Sequence, residues 1–431
     1  MIKRNVALKC GKTLTIPAFF LQPYHHEGRI LRETILSYPP EATSELAGIV
    51  SSMKDWPRVR ESLYPQTLSP DPAYFQDKVR IVDPELHLLF VGLDTDKRDL
   101  LELRLSSGKL GDAKAAGERS NLRDSVDRII RSDQSERRSK SSRYVEEVYP
   151  HMESLAYDII KYLIDSGSDI LIAPSVPITA KPLALKQIQK HEQMVRHSRA
   201  LFRSVFSRVA SDLDFMSMIT INAHILESRD ISQRLIDSII ESQPDHVGVK
   251  VLNLDERETA RVETLLQFVA ELRRSLDYEG AHIPIHLFNV REFGYVTYCH
   301  GVSAITSPIA RKPYVYLNPR NPPDSSPVGK YAHPNDLVDY TYERLQELTE
   351  PVGYRLPCHC HACKERGVVG PKEDFNVFRK QHFIAYKSGL EMQEIRRADR
   401  ATLNVALRDR FARSKQTALI AYLDQMVHLP I

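Results

Sequence analysis

VGVKVLNLDERETARVETLLQFVAELRRSLDYEGAHIPIHLFNV, residues 247–290, reads as one strand–helix–strand unit. Val247–Leu252 is an apolar run of strand length. Within Val262–Leu276, residues Leu265, Leu266, Val269 and Leu272 recur at helical spacing, and Ile283–Val290 is a second apolar run. Such a unit implies two parallel strands joined by a right-handed crossover. Working outward, further candidate strands are Leu14–Phe20, Leu86–Leu93, Asp169–Ala173, Met216–Ile221 and Val302–Thr306. An amphipathic stretch, Met152–Leu163, carries Leu155, Ile159, Ile160 and Leu163 on one face. These seven strands and one more weakly marked strand predict a closed (β/α)8 TIM barrel. An open doubly wound sheet is the competing arrangement, but no G-x-G-x-x-G follows an early strand to support it.

The chain has 431 residues, of which 42% are hydrophobic and 27% charged, with a net charge of +3. A barrel of about 250 residues would leave room for an appendage, and so mild a basic excess does not decide for or against nucleic acid. Five cysteines do not make a disulfide framework. The opening MIKRNVALKCGKTLTIPAFF has no apolar run followed by a small-residue cleavage site. No stretch approaches the ~20 apolar residues of a membrane span. The expectation is a cytoplasmic protein with no membrane partner.

Three segments interrupt the barrel pattern. Residues 106–143 hold ten Lys/Arg against six Asp/Glu, ending in RRSKSSR at 137–143. They read either as a solvated insertion or as a phosphate-contacting loop. Arg311–Pro334 contains six prolines, which favour an extended connector. A cysteine cluster follows, and then two helical stretches. The expected organisation is a barrel over 1–310, a Pro-rich connector over 311–345 and a zinc-binding helical subdomain over 346–431.

Residues 356–364 read LPCHCHACK. The C-x-C-x-x-C spacing puts the thiolates of Cys358, Cys360 and Cys363 on one tight turn, as a tetrahedral zinc requires. His359 and His361 lie inside the turn and would have to fold back sharply to reach the same ion. His382, nineteen residues past Cys363 on an expected helix, is the better fourth ligand. A closed Cys3His sphere leaves no open position, so such a zinc would be structural.

On these residues the chain resembles the tRNA-guanine transglycosylase superfamily, whose barrel carries a C-x-C-x-x-C and a later histidine. QHFIAY at 381–386, EMQEIRR at 391–397, GKTLTIPAFF at 11–20 and SGSDILIAP at 166–174 are similar to further parts of that family. The resemblance implies base exchange on DNA or tRNA, with a 7-deazaguanine replacing guanine. It also implies one carboxylate that attacks the sugar and another that moves protons. VGLDTD at 91–96 leaves Asp94 as the proton-transfer acid, and ITINAH at 219–224 leaves Asn222 as a base-binding amide. GVSAITSP at 301–308 puts Thr306 near the place of the attacking aspartate, so Asp255, after the strand at 246–254, is the substitute nucleophile. The branch acting on DNA is the nearest candidate. The competing reading is a non-catalytic nucleic-acid-binding paralogue or accessory subunit, acting as a homodimer or with a partner transglycosylase. Arg396, Arg397, Arg408, Arg410 and Arg413 would add basic helices for the polymer.

Overall fold

Alternation between an axial and an outer face organises the strands. In a computed structural model the described residues are 4–24, 27–53, 55–63, 77–85, 156–178, 184–254, 259–278, 282–290, 294–309, 331–332 and 339–399. Positions 75, 280, 402, 405 and 409 are also described. A hairpin of β1 (Arg4–Ala7) and β2 (Thr13–Ile16) comes first. It is followed by β3 (Ala18–Gln22), β4 (Leu46–Ser52), β5 (Val79–Asp83), β6 (Ile170–Ile172), β7 (Asp214–Asn222), β8 (His246–Leu252), β9 (Ile285–Phe288) and β10 (Ala304–Pro308). Strands β3 to β10 pair in parallel, each with the next, and β10 returns to β3, closing an eight-stranded TIM barrel.

Along β8, Val247 and Val249 pack outward among the helices with Leu265, Leu266 and Val269. Gly248 and Lys250 therefore take the axial face. The axial core is built from Phe20, Val50, Ile81, Ile172, Met218 and Phe288. Gly48 is needed where β4 approaches β5, because a Cβ there would run into the Val79 carbonyl.

Six of the seven expected strands are present with shifted ends. Leu14–Phe20 is divided by Pro17 into β2 and β3. The weakly marked eighth strand is β4. Leu86–Leu93 lies outside the described residues, and the third place in the barrel is filled by Val79–Asp83.

The β1–β2 hairpin closes the N-terminal end of the barrel. Leu8 and Leu14 enter the axial core from below. Lys12 Nζ donates to Asp169 Oδ2 at 2.7 Å, and Lys9 Nζ to Asp245 Oδ2 at 2.6 Å. Above them, His246 Nδ1 lies 2.9 Å from His286 Nε2, with both rings buried. The lysines of the hairpin thus neutralise the acids at this end, and in barrels of this class the sites for chemistry lie at the opposite, C-terminal end.

A helix over Phe375–Ala385, a π-helical turn over Tyr386–Glu391 and a helix over Met392–Arg397 lie against the barrel. Phe383, Ile384, Met392 and Ile395 join its outer core. Lys380 Nζ sits 3.5 Å from Glu27, Glu45 N donates to Ser388 O at 3.0 Å, and Gly389 abuts the Ala42 carbonyl where no Cβ would fit. Arg396 is half of an ion pair with Glu45 and donates to the carbonyls of Pro17 and Thr15 at 3.0 and 3.1 Å. It is a docking residue, which corrects the expectation that it contributes to a basic surface. Arg408, Arg410 and Arg413, like 106–143, lie outside the described residues. Among the described residues, no helix is long and apolar enough to cross a membrane.

One buried histidine makes the fold acid-sensitive. His191, on the helix Ala184–Ser204, is fully enclosed, with Nδ1 3.3 Å from Val176 O. Burial pushes its pKa down from 6.5 to about 4. Between those values the unfolded chain binds a proton that the folded chain refuses. Its stability contribution is therefore full above pH 6.5 and falls as the pH drops towards 4, by roughly 3 kcal/mol in total. His191→Gln should flatten that acid limb in urea titrations run at successive pH values. An acid limb identical to wild type would contradict this assignment.

Candidate metal centre and barrel mouth

The thiol turn and the histidine helix meet in a buried pocket. Cys360 precedes a short helix, His361–Arg366, and Cys363 N donates to Cys360 O at 3.1 Å, which curls the turn. Cys358, Cys360, Cys363 and His382 are all buried, and their ligand atoms lie within 4.8 Å of one another. His382 Nδ1 is 3.3 Å from Cys360 Sγ and 3.2 Å from Cys363 Sγ. Its Nε2 lies 2.7 Å from Ala332 O. A carbonyl only accepts, so Nε2 carries the proton and Nδ1 offers its lone pair to the cluster, the arrangement a metal-ligating imidazole needs.

Ala332 belongs to a two-residue strand β11 (Tyr331–Ala332), paired with β12 (Asp339–Tyr340) at the end of the expected connector. Tyr331 stacks on His382 with ring centroids 4.0 Å apart, and its hydroxyl lies 3.2 Å from Cys363 Sγ. Hydrogen bonds from Cys358 and Cys363 pull the Cys360 thiol down to about 4, while burial pushes Cys363 up. Three buried sulfurs ionise together only around a cation. Cys3His is a fitting donor set for one, and the cluster could hold a metal ion such as zinc.

The second site is the C-terminal mouth of the barrel. Asp83 ends β5, and alternation with axial Val79 and Ile81 turns it inward. Lys250, the fifth residue of β8, reaches across the axis and forms an ion pair with Asp83 Oδ2. Both are buried, at 1% exposure for Lys250 and 3% for Asp83. Glu85 N donates to Asp83 Oδ1 at 2.9 Å, and the Lys250 ammonium lies 5.9 Å from the centroid of Phe288.

Asn222 ends β7 on the axial face. Its Oδ1 lies 2.7 Å from Nδ1 of His224, which sits just beyond the strand in a 3-10 turn. Gln22 ends β3, and its buried Oε1 finds no partner among the described residues. Thr306, on β10 between outward Ile305 and Ser307, also faces the axis.

Of the residues in this layer, Asn222 carries an expectation from the sequence, as a base-binding amide, whereas Asp83, Lys250 and Gln22 carry none. Asp94 and Asp255, the two expected catalytic carboxylates, lie outside the described residues. The carboxylate that terminates the third barrel strand is Asp83. Its signal was the alternation VRIVD, masked by Arg80, which turns down to pair with Asp169 at 3.3 Å. A lysine within the otherwise apolar VGVKVL was the signal for Lys250. No protein-family model matches the chain. No curated protein matches it significantly.

Proposed function

We propose that the chain exchanges a purine base on nucleic acid at the C-terminal mouth of its barrel, with zinc as an architectural ion in the Cys3His cluster. The exchange implied by the sequence resemblance is guanine for a 7-deazaguanine. The observation that carries the reading is the polar layer at the strand ends. The Asp83 carboxylate and the amides of Asn222 and Gln22 stand above an apolar floor. A flat heterocycle with polar edges suits such a surface, and proton transfer to a departing base suits the carboxylate. Zinc is favoured because three thiolates and one imidazole make a soft, closed tetrahedral sphere.

The test is incorporation of labelled guanine, or of a labelled 7-deazaguanine precursor, into tRNA and duplex DNA by the zinc-loaded full chain. Label should enter one of the two polymers. No label in either would overturn the reading.

A second reading, a non-catalytic subunit, is favoured by two observations: Asp83 is neutralised by Lys250, and a hydroxyl, Thr306, stands where the resemblance implies an attacking carboxylate. That reading predicts incorporation only after a second barrel protein is added.

The His224–Asn222 contact yields a finer expectation. His224 fixes the amide oxygen, so Asn222→Ala should lower kcat/KM by about 10- to 100-fold, the effect of one lost buried hydrogen bond, with little change in the melting curve. Unchanged kcat/KM would remove Asn222 from the site.

A further inference from the structure

Resting on the base-exchange reading, we propose that Lys250 is the nucleophile of this site and that it carries the sugar as an imine, with Asp83 as its proton partner. Four observations converge on it. Lys250 is a buried amine on the axial face of a barrel strand, towards the end where barrel active sites lie. Its only ion-pair partner among the described residues is a buried carboxylate at a strand end, able to take up and return its proton. The Phe288 ring flanks the ammonium and limits its hydration. Thr306, the axial hydroxyl of β10, is a weak nucleophile by comparison with an amine. A buried structural ion pair needs none of these placements, and well-packed apolar residues would serve stability as well.

The chemistry balances without an added reactant. Proton transfer from Lys250 to Asp83 leaves a neutral amine and a carboxylic acid. The amine attacks C1′ of the nucleotide, forming a C–N bond as the bond from C1′ to the base breaks. The electron pair leaves with the base, which takes the proton from Asp83. The new secondary ammonium then gives a proton to Asp83 as the C1′–O4′ bond opens, and O4′ takes that proton, leaving a protonated imine between Lys250 and the open-chain sugar. Reclosure of O4′ on C1′ and attack by the incoming base reverse these steps and release the amine.

The experiment uses full-length, zinc-loaded protein and duplex DNA containing a single abasic site, whose C1′ is an aldehyde equivalent, with sodium cyanoborohydride to reduce any imine. Peptide mass mapping should place the adduct on Lys250. Lys250→Arg retains the charge and the pair with Asp83 but forms no imine, so it should lose the adduct at this position while melting like wild type. It should also lower labelled-base incorporation by about 100-fold or more. Asp83→Asn should slow adduct formation by about tenfold or more. Adducts confined to other amines, or Lys250→Arg incorporating base at the wild-type rate, would overturn the proposal. Incorporation by wild type without a Lys250 adduct would discard the lysine and keep base exchange. A Lys250 adduct without incorporation into either polymer would uphold the lysine and discard base exchange.

Discussion

Cys360→Ala is expected to lose the bound metal and to destabilise the chain by more than about 4 kcal/mol, because a structural zinc site contributes its binding energy directly to folding. The loss should be concentrated in 354–397. The cysteine turn, the helix carrying His382 and the strand holding Ala332 converge on the cluster, beside the Tyr331–Phe378 stack. Purified protein should carry one zinc per chain, and a strong chelator should reproduce the effect of the substitution. Hydrogen exchange should show 354–397 opening while the barrel strands stay protected, since the apolar contacts of Phe383 and Ile384 retain part of the docking. Metal-free protein with unchanged exchange and an unchanged denaturation midpoint would contradict this account of the cluster.

The second large effect lies in the barrel itself. Lys250→Met leaves Asp83 buried at 3% exposure without its counter-charge. Breaking one side of such a pair costs about 3–5 kcal/mol, mostly the penalty of an unpaired buried charge. Removing the second charge as well should return most of that stability. The double variant Lys250→Met with Asp83→Leu is therefore expected to unfold at a urea concentration near that of wild type, far above the lysine variant alone. Strictly additive destabilisation would show that the two groups are not coupled.

The parts of this structure that the sequence made legible are the local ones. Cys358, Cys360 and Cys363 share one turn, so their spacing alone carries the geometry. His382 could be reached because one helix separates it from the turn. The strands from Met216 to Val290 were legible because apolar runs alternate with amphipathic helices.

β5 was not legible, for a physical reason. Only five residues long, it spends its second residue, Arg80, on an ion pair with Asp169 below the barrel, so its apolar character is diluted. The neighbouring Leu86–Leu93 is more apolar and reads as the stronger strand, while Asp94 just beyond it follows from the resemblance at 91–96. The Asp83–Lys250 pair was out of reach for a different reason: 167 residues separate its members, and only barrel closure brings β5 and β8 face to face. Arg396 misled in the opposite direction. It looks like surface charge in EIRR, yet it is tied to Pro17 and Glu45.

The proposed chemistry belongs to the C-terminal mouth and its Asp83–Lys250 pair, and not to the charges that seal the other end. Asp83→Asn and Asp245→Asn separate the two ends, because Asp245 belongs to the cluster under the barrel with Lys9. The deciding measurement is the rate of labelled-base incorporation by each variant, beside wild type and at equal zinc content. Asp83→Asn is expected to fall by about 100-fold or more, and Asp245→Asn to stay near the wild-type rate. Equal rates for Asp83→Asn and wild type would contradict that placement of the chemistry.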